Sequence, residues 1–62
     1  MKVREVLKLL QNDGWLLITT GGSHRQFKHP TKAGRVTVAG HPAEDIHPKT
    51  LKSILTQAGI SK

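Results

Sequence analysis

Val3, Val6, Leu7 and Leu10 recur at i, i+3, i+4 and i+7, which is one face of a 3.6-residue repeat. Lys2, Glu5, Lys8 and Gln11 lie mostly off that stripe, so the first segment reads as an amphipathic helix. Asn12-Asp13-Gly14 ends it, with Gly14 suited to a left-handed cap. The period then changes. Trp15-Leu16-Leu17-Ile18-Thr19-Thr20 is rich in aromatic and β-branched residues and predicts a strand. Gly21-Gly22 predicts a tight turn needing positive φ angles. Residues 23–29 predict a second strand, residues 30–34 a polar turn, and Arg35-Val36-Thr37-Val38 a third strand with clean alternation. Gly40 and Pro42 open a loop through Ala43, Glu44 and Asp45. Pro48 fits the first position of a last helix, where its missing N–H costs little. Leu51, Ile54, Leu55 and Ala58 form that helix's apolar stripe, and Gly59 ends it.

The expected fold is therefore α+β, in the order α-β-β-β-α. Turns this short favour an antiparallel meander, because parallel pairs need long crossovers. Two amphipathic helices cover only one face of a three-stranded sheet, which leaves the other to solvent or a ligand. Side-chain alternation says what the open face carries. Val36 and Val38 should point to the helices, as should Phe27, the apolar anchor of the second strand. His24, Gln26, Lys28, Arg35 and Thr37 then share the open face, an imidazole among cations and neutral hydrogen-bonding groups. The first strand is apolar on both parities, so either Trp15 and Leu17 or Leu16 and Ile18 should face outward beside that polar surface. Apolar strips of this kind often mark a protein interface.

The chain of 62 residues makes one domain, residues 1–62, with a thin stability margin and no cysteine to brace it. Its opening residues lack the apolar run of a signal peptide, and the apolar run from Trp15 to Ile18 is too short to cross a bilayer. The expectation is a cytoplasmic protein with no membrane contact. Ten Lys and Arg against four Asp and Glu give a net charge of +6. No carboxylate lies between Asp13 and Glu44, an interval that holds Arg25, Lys28, Lys32 and Arg35 with His24, His29 and His41. Phosphate backbones are the commonest cellular partner for such a stretch, although many small proteins are basic without binding nucleic acid.

Gly21-Gly22-Ser23-His24-Arg25 is the sharpest chemical feature. Glycines let a turn approach a ligand closely, and successive turn N–H groups can cradle phosphate. An ordinary hairpin fits the two glycines equally well. A histidine on regular backbone can take a proton from a ribose 2′-hydroxyl or give one to a leaving 5′-oxygen. A plain surface histidine is the competing account of His24. Lys28 shares its parity and is the better candidate to neutralise charge on phosphorus; Arg25 has the opposite parity and is the weaker one. Ser23 and His24 are neighbours of opposite parity, so they make no hydrolase pair. His24 and His29 point to opposite faces, and His41 and His47 flank a loop without a clear third ligand, so no metal site is expected. His47 is placed to cap the last helix. The chain offers only Trp15 and Phe27 for base stacking, so charge and backbone contacts should dominate any RNA affinity.

These residues resemble the HicA-type toxins of bacterial toxin–antitoxin pairs. The likeness begins at the helix from Val3 to Leu10 and the Gly14-Trp15 junction, and is strongest at Gly22-Ser23-His24 with Phe27. It continues through Val36-Thr37-Val38, Gly40-His41, Thr50-Leu51, Ile54-Leu55 and Ala58-Gly59-Ile60. Two positions depart from the commonest pattern: Ala39 stands where a proline often precedes Gly40-His41, and Lys49 where a glycine often precedes Thr50-Leu51.

The resemblance implies a fold similar to a double-stranded-RNA-binding domain and a metal-independent endoribonuclease, without cofactor, that cleaves mRNA. It implies His24 as the catalytic residue and Gly22 as the motif glycine. Gly22, Ser23, Arg25, Lys28 and Arg35 are the expected RNA-binding set. The implied partner is a HicB-type antitoxin that covers the active face and often binds operator DNA. One histidine does not supply both an acid and a base; His41 and water are both open as the second group. The alternative function is a non-catalytic RNA-binding module of the same fold, and a third is an interaction domain whose basic face serves an acidic protein.

Overall fold

Burial of the two helical stripes against one side of a small sheet organises the chain. The computed structural model describes residues 1–60. Helix α1 runs Val3–Asn12, strands β1, β2 and β3 run Leu16–Gly21, His24–Lys28 and Arg35–Val38, and helix α2 runs Pro48–Ala58. The strands form one antiparallel sheet in the order β1-β2-β3. Val3, Val6 and Leu10 of α1, Trp15, Phe27, Val36 and Val38 of the sheet side, and Ile54 and Ala58 of α2 form a single buried cluster. Both helices thus cover the face to which Phe27, Val36 and Val38 point. Fully burying each such side chain stabilises the fold by about 1.5–3 kcal/mol.

The helix ends follow the expected chemistry. Glu5 accepts the Lys2 N–H at 2.9 Å, and the next free donors of α1, Val3 N–H and Arg4 N–H, go to the carbonyls of Glu44 and Pro42. The loop before α2 is thereby stitched to the start of α1. Gly59 takes the left-handed conformation after α2. His47 precedes Pro48, and its Nδ1 accepts the Lys49 N–H at 3.2 Å, the capping role its position suggested.

The far end of α1 is tied down by a polar corner. Gly14 has φ +96°, and a Cβ there would meet His29 Nε2 at 2.8 Å, so both the backbone and the packing demand glycine. His29 Nδ1 accepts the N–H groups of Thr31 and Lys32 at 3.1 and 3.2 Å. Since backbone N–H only donates, the ring proton sits on Nε2 and goes to the Asp13 carbonyl at 2.7 Å. The Trp15 indole meets His29 edge to face, with centroids 5.2 Å apart, and its Nε1–H donates to the Asp13 carboxylate. Lys32 bonds both that carboxylate and the Ala58 carbonyl, which joins the ends of α1 and α2 through the β2–β3 turn.

Strand β1 departs from both expected alternations. The Leu17–Phe27 and Thr19–Gln26 pairings leave Ile18 as an extra residue, a β-bulge. Trp15 turns into the core just before the strand, while Leu16, Leu17 and Ile18 are 61%, 52% and 46% exposed. Leu17 pairs with Phe27 and so lies on the helix side, but β1 is an edge strand and its side chain stays half in solvent. The apolar strip is therefore wider than one parity. Strand β2 is also shorter than expected: Ser23 belongs to the turn and His29 to the corner.

The hydrogen bond from Lys32 holds the Asp13 carboxyl below its ordinary value of 3.8, with burial opposing that shift. The folded chain thus favours ionised Asp13, which contributes stability above the ordinary carboxylate range. That contribution is lost as pH falls through the lowered value. Asp13→Asn should lower the urea midpoint at neutral pH and lose less stability than the parent as pH falls through and below the ordinary carboxylate range. Identical slopes of stability against pH in the two proteins would remove Asp13 from the acid response.

Candidate functional site

The pairing of β2 with β3 fixes which side chains share the uncovered face. Arg25 lies opposite Val38 and Phe27 opposite Val36, on the helix side. Gln26 lies opposite Thr37 and Lys28 opposite Arg35, on the other side. His24 has the parity of Gln26 and Lys28 and is exposed, at the first position of β2 across from Gly21. Four residues of strand separate His24 from Lys28, about 13 Å along the sheet. The cations thus stand at one end of the open face and the imidazole at the other. Arg35 reaches back across the sheet, its guanidinium donating to the Gln26 side-chain carbonyl at 3.4 Å.

Residues Gly22 and Ser23 form the loop between β1 and β2. Gly22 has φ +58°, and a Cβ there would meet open space, so glycine is needed for its backbone conformation alone. Gly21, which the dipeptide suggested as a second turn residue, ends β1 without a positive φ. The hairpin is held from the side. Gly40 N–H donates to the Ser23 carbonyl at 3.2 Å, and Arg25 Nη1 donates to the Gly40 carbonyl at 2.9 Å and the Ser23 carbonyl at 3.4 Å. Arg25 is thus half-buried on the helix side and engaged with carbonyls that fix the loop beside His24. Gly40 continues the β2–β3 register two positions past Arg25–Val38, opposite Ser23, which carries the exposed His41 segment to the His24 end of the sheet.

None of the four carboxylates belongs to the sheet. Asp13 bonds Lys32, Glu5 accepts the Lys2 N–H, Asp45 lies 3.5 Å from the Lys2 ammonium, and Glu44 lies by Gly40. Lys28 and Arg35 therefore face each other as like charges without a carboxylate between them. Like charges directly opposite destabilise a sheet unless an anion joins them. Among the described residues no three His, Asp or Glu side chains gather as a metal site would require, and no helix is long and apolar enough to cross a membrane.

Sequence reasoning did not reach α2's share of this surface. Lys49, Ser53 and Gln57 lie at four-residue intervals along one line of α2, and they border a groove with Arg35 and Thr37. Their spacing was visible in the chain, but nothing local said which strand that line would face.

Comparison with known protein families gives a match over nearly the whole chain. Residues 3–60 fit the family described as the HicA toxin of bacterial toxin–antitoxin systems. The match covers both helices and all three strands. No curated protein matches the chain.

The facing cations make a prediction that concerns stability alone. Lys28→Thr should stabilise the free protein by about 0.2–1 kcal/mol through removal of the like-charge pair. The gain should shrink as salt rises. Urea denaturation at low and high ionic strength measures both, and a destabilised Lys28→Thr protein at low salt would show that the pair is not strained.

Proposed function

The chain belongs to the HicA toxin family of bacterial toxin–antitoxin systems, and we propose that it acts there as a metal-independent endoribonuclease of mRNA with His24 at the reacting centre. The observation that carries this reading is the exposed His24 imidazole beside a glycine hairpin, on a face with two uncompensated cations and no carboxylate. Such a face attracts a phosphate backbone and offers a proton-transfer group at one end of it.

In the proposed step the ribose 2′-oxygen attacks the adjacent phosphorus. The 2′-hydroxyl proton leaves to a base, the bond from phosphorus to the 5′-oxygen breaks, and that oxygen takes up a proton. The products are a 2′,3′-cyclic phosphate and a 5′-hydroxyl, so no metal is needed to balance the reaction. His24 performs one of the two proton transfers. Its neutral ring offers one donor and one acceptor nitrogen. His41 or water performs the other, and the pairing of Gly40 with Ser23 favours His41 by bringing its segment to the hairpin. Gly22 and Ser23 allow the RNA backbone to come close to the turn. Lys28 and Arg35 hold phosphates along the strand; the separation of about 13 Å makes Lys28 better suited to a neighbouring phosphate than to the reacting one. Arg25 supports the site by fixing the Gly40 loop, through the same guanidinium expected to meet RNA.

Membership of a toxin–antitoxin family implies an antitoxin partner. In our reading it is an acidic protein of the HicB type, acting in the cytoplasm where mRNA is found. It covers the cationic face together with the exposed apolar residues of β1. Leu16 pairs with Lys28 and so lies beside the cations on the open face, which makes one continuous surface for such a partner.

Two experiments test these assignments. Purified protein is incubated with RNA in EDTA and compared with His24→Ala. The expected result is cleavage by the parent and a loss of about 10²–10⁴-fold in the variant. The variant should keep its fold to within about 0.5 kcal/mol, because His24 is an exposed strand position. A folded His24→Ala protein that still cuts removes His24 from the chemistry, and a parent that shifts RNA without cutting it is a binding module. In the second experiment Leu16→Asp should weaken co-purification with the antitoxin while cleavage by the free toxin persists. Undiminished co-purification would place the antitoxin elsewhere.

A further inference from the structure

The groove between β3 and α2 lies outside the His24 site and has a volume of about 480 Å³. Its walls are Arg35 and Thr37 on one side and Lys49, Thr50, Ser53 and Gln57 on the other, over Ile54. Two cations, hydroxyls and an amide line it, with no carboxylate. The direction of α2 follows from the Lys32 bond to the Ala58 carbonyl, which sets the helix end beside the turn that begins β3. Helix α2 therefore runs antiparallel to β3, and Lys49 in its first turn lies toward Val38 and the His24 end of the sheet.

The strand also contributes backbone groups. A two-residue loop closes on the Gly21–His24 pair, and in antiparallel sheets hydrogen-bonded and open pairs alternate. His24 and Gln26 thus direct their backbone groups to β1, and Arg25 and Phe27 direct theirs to β3. The Gly40 N–H bond to the Ser23 carbonyl lies in the same alternation. The partners of the open pairs, Arg35 and Thr37, therefore turn their N–H and C=O groups to the outer edge of β3, which is the groove side. Cations suit phosphate, while carbonyls and hydroxyls suit a ribose 2′-OH, which both donates and accepts. Arg35 stands at the junction, bonded to Gln26 on the open face and lining the groove.

We infer that this groove is a second RNA subsite, which holds single-stranded ribonucleotides flanking the bond presented to His24, with Lys49 and Arg35 on their phosphates. The inference rests on the proposed RNA reading but not on cleavage. A polynucleotide fits better than an acidic protein segment because the groove combines separated cations with edge donors and acceptors that match sugar and phosphate together.

The test measures RNA binding in the His24→Ala protein, which keeps the RNA intact, by filter binding of a single-stranded oligoribonucleotide at several salt concentrations. Lys49→Ala should lower affinity severalfold and reduce the slope of log affinity against log salt by about one, the signature of one lost phosphate contact. Ser53→Glu, at an exposed helix position, should lower affinity by adding a negative charge to the groove. Lys52→Ala removes the same charge from the groove on the other side of α2 and should leave the slope unchanged. Equal effects of Lys49→Ala and Lys52→Ala reduce the result to net charge and overturn the subsite. So does unchanged RNA binding by Lys49→Ala and Ser53→Glu together with weakened antitoxin capture, which makes the groove a protein surface. If the parent chain cuts no RNA but the groove variants bind it as expected, the nuclease reading fails and the subsite stands.

Discussion

Two helices are too few to cover both faces of the sheet, and this shortage determines what the rest of the molecule does. Phe27, Val36 and Val38 need apolar cover, and the stripes of α1 and α2 supply it from one side. Every neighbouring residue of opposite parity is then sent to solvent. His24, Gln26 and Lys28 alternate with Arg25 and Phe27, and Arg35 and Thr37 alternate with Val36 and Val38. The exposed chemistry is therefore the complement of the core: a one-residue slip of β2 would bury Lys28 and expose Phe27 together. Core packing and the candidate site are two consequences of one register.

A chain of this size has little apolar surface to bury, so local polar bonds help hold its corners. The Asp13, Trp15, His29 and Lys32 corner joins α1, the sheet and α2 at one end. At the other end the carbonyls of Pro42 and Glu44 complete the first turn of α1, and Arg25 fastens the Gly40 loop to the hairpin. Both stitched regions lie at the ends of the sheet. The open face itself is left without such internal pairing between opposite charges. Its electrostatics is available to a ligand because the carboxylates have been placed in loops and helices, where Glu5, Asp13 and Asp45 meet a backbone N–H or a lysine of their own.

The HicA family match fits a surface divided in this way. In the proposed reading the toxin binds RNA when free and an antitoxin when restrained, and a face with cations beside the exposed Leu16 can present both characters at once. The like-charge pair Lys28–Arg35 is a cost to the free fold, which in that reading either an RNA phosphate or an acidic partner relieves.

Much of this was legible along the chain. Spacing at i, i+3, i+4 and i+7 identified both helices, and Gly14, Pro48 and Gly59 marked ends that the structure has within a residue or so. Alternation around Phe27 and Val36 sufficed to put His24 on the open face, because a buried strand face tolerates only one register. β1 was not legible in the same way. Its residues are apolar on both parities, and the bulge at Ile18 and the edge position, both products of pairing with β2, decided their exposure. Arg25 shows the limit for long side chains: parity gave its face, but only the approach of the Gly40 loop showed that its guanidinium is already occupied. The line of Lys49, Ser53 and Gln57 was equally visible as spacing and equally silent about its neighbour. Sequence determines periodicity, and periodicity determines which side chains stand together on one element. Which elements then face each other depends on contacts between residues far apart in the chain, such as Lys32 with Ala58, and those exist only once the core has closed.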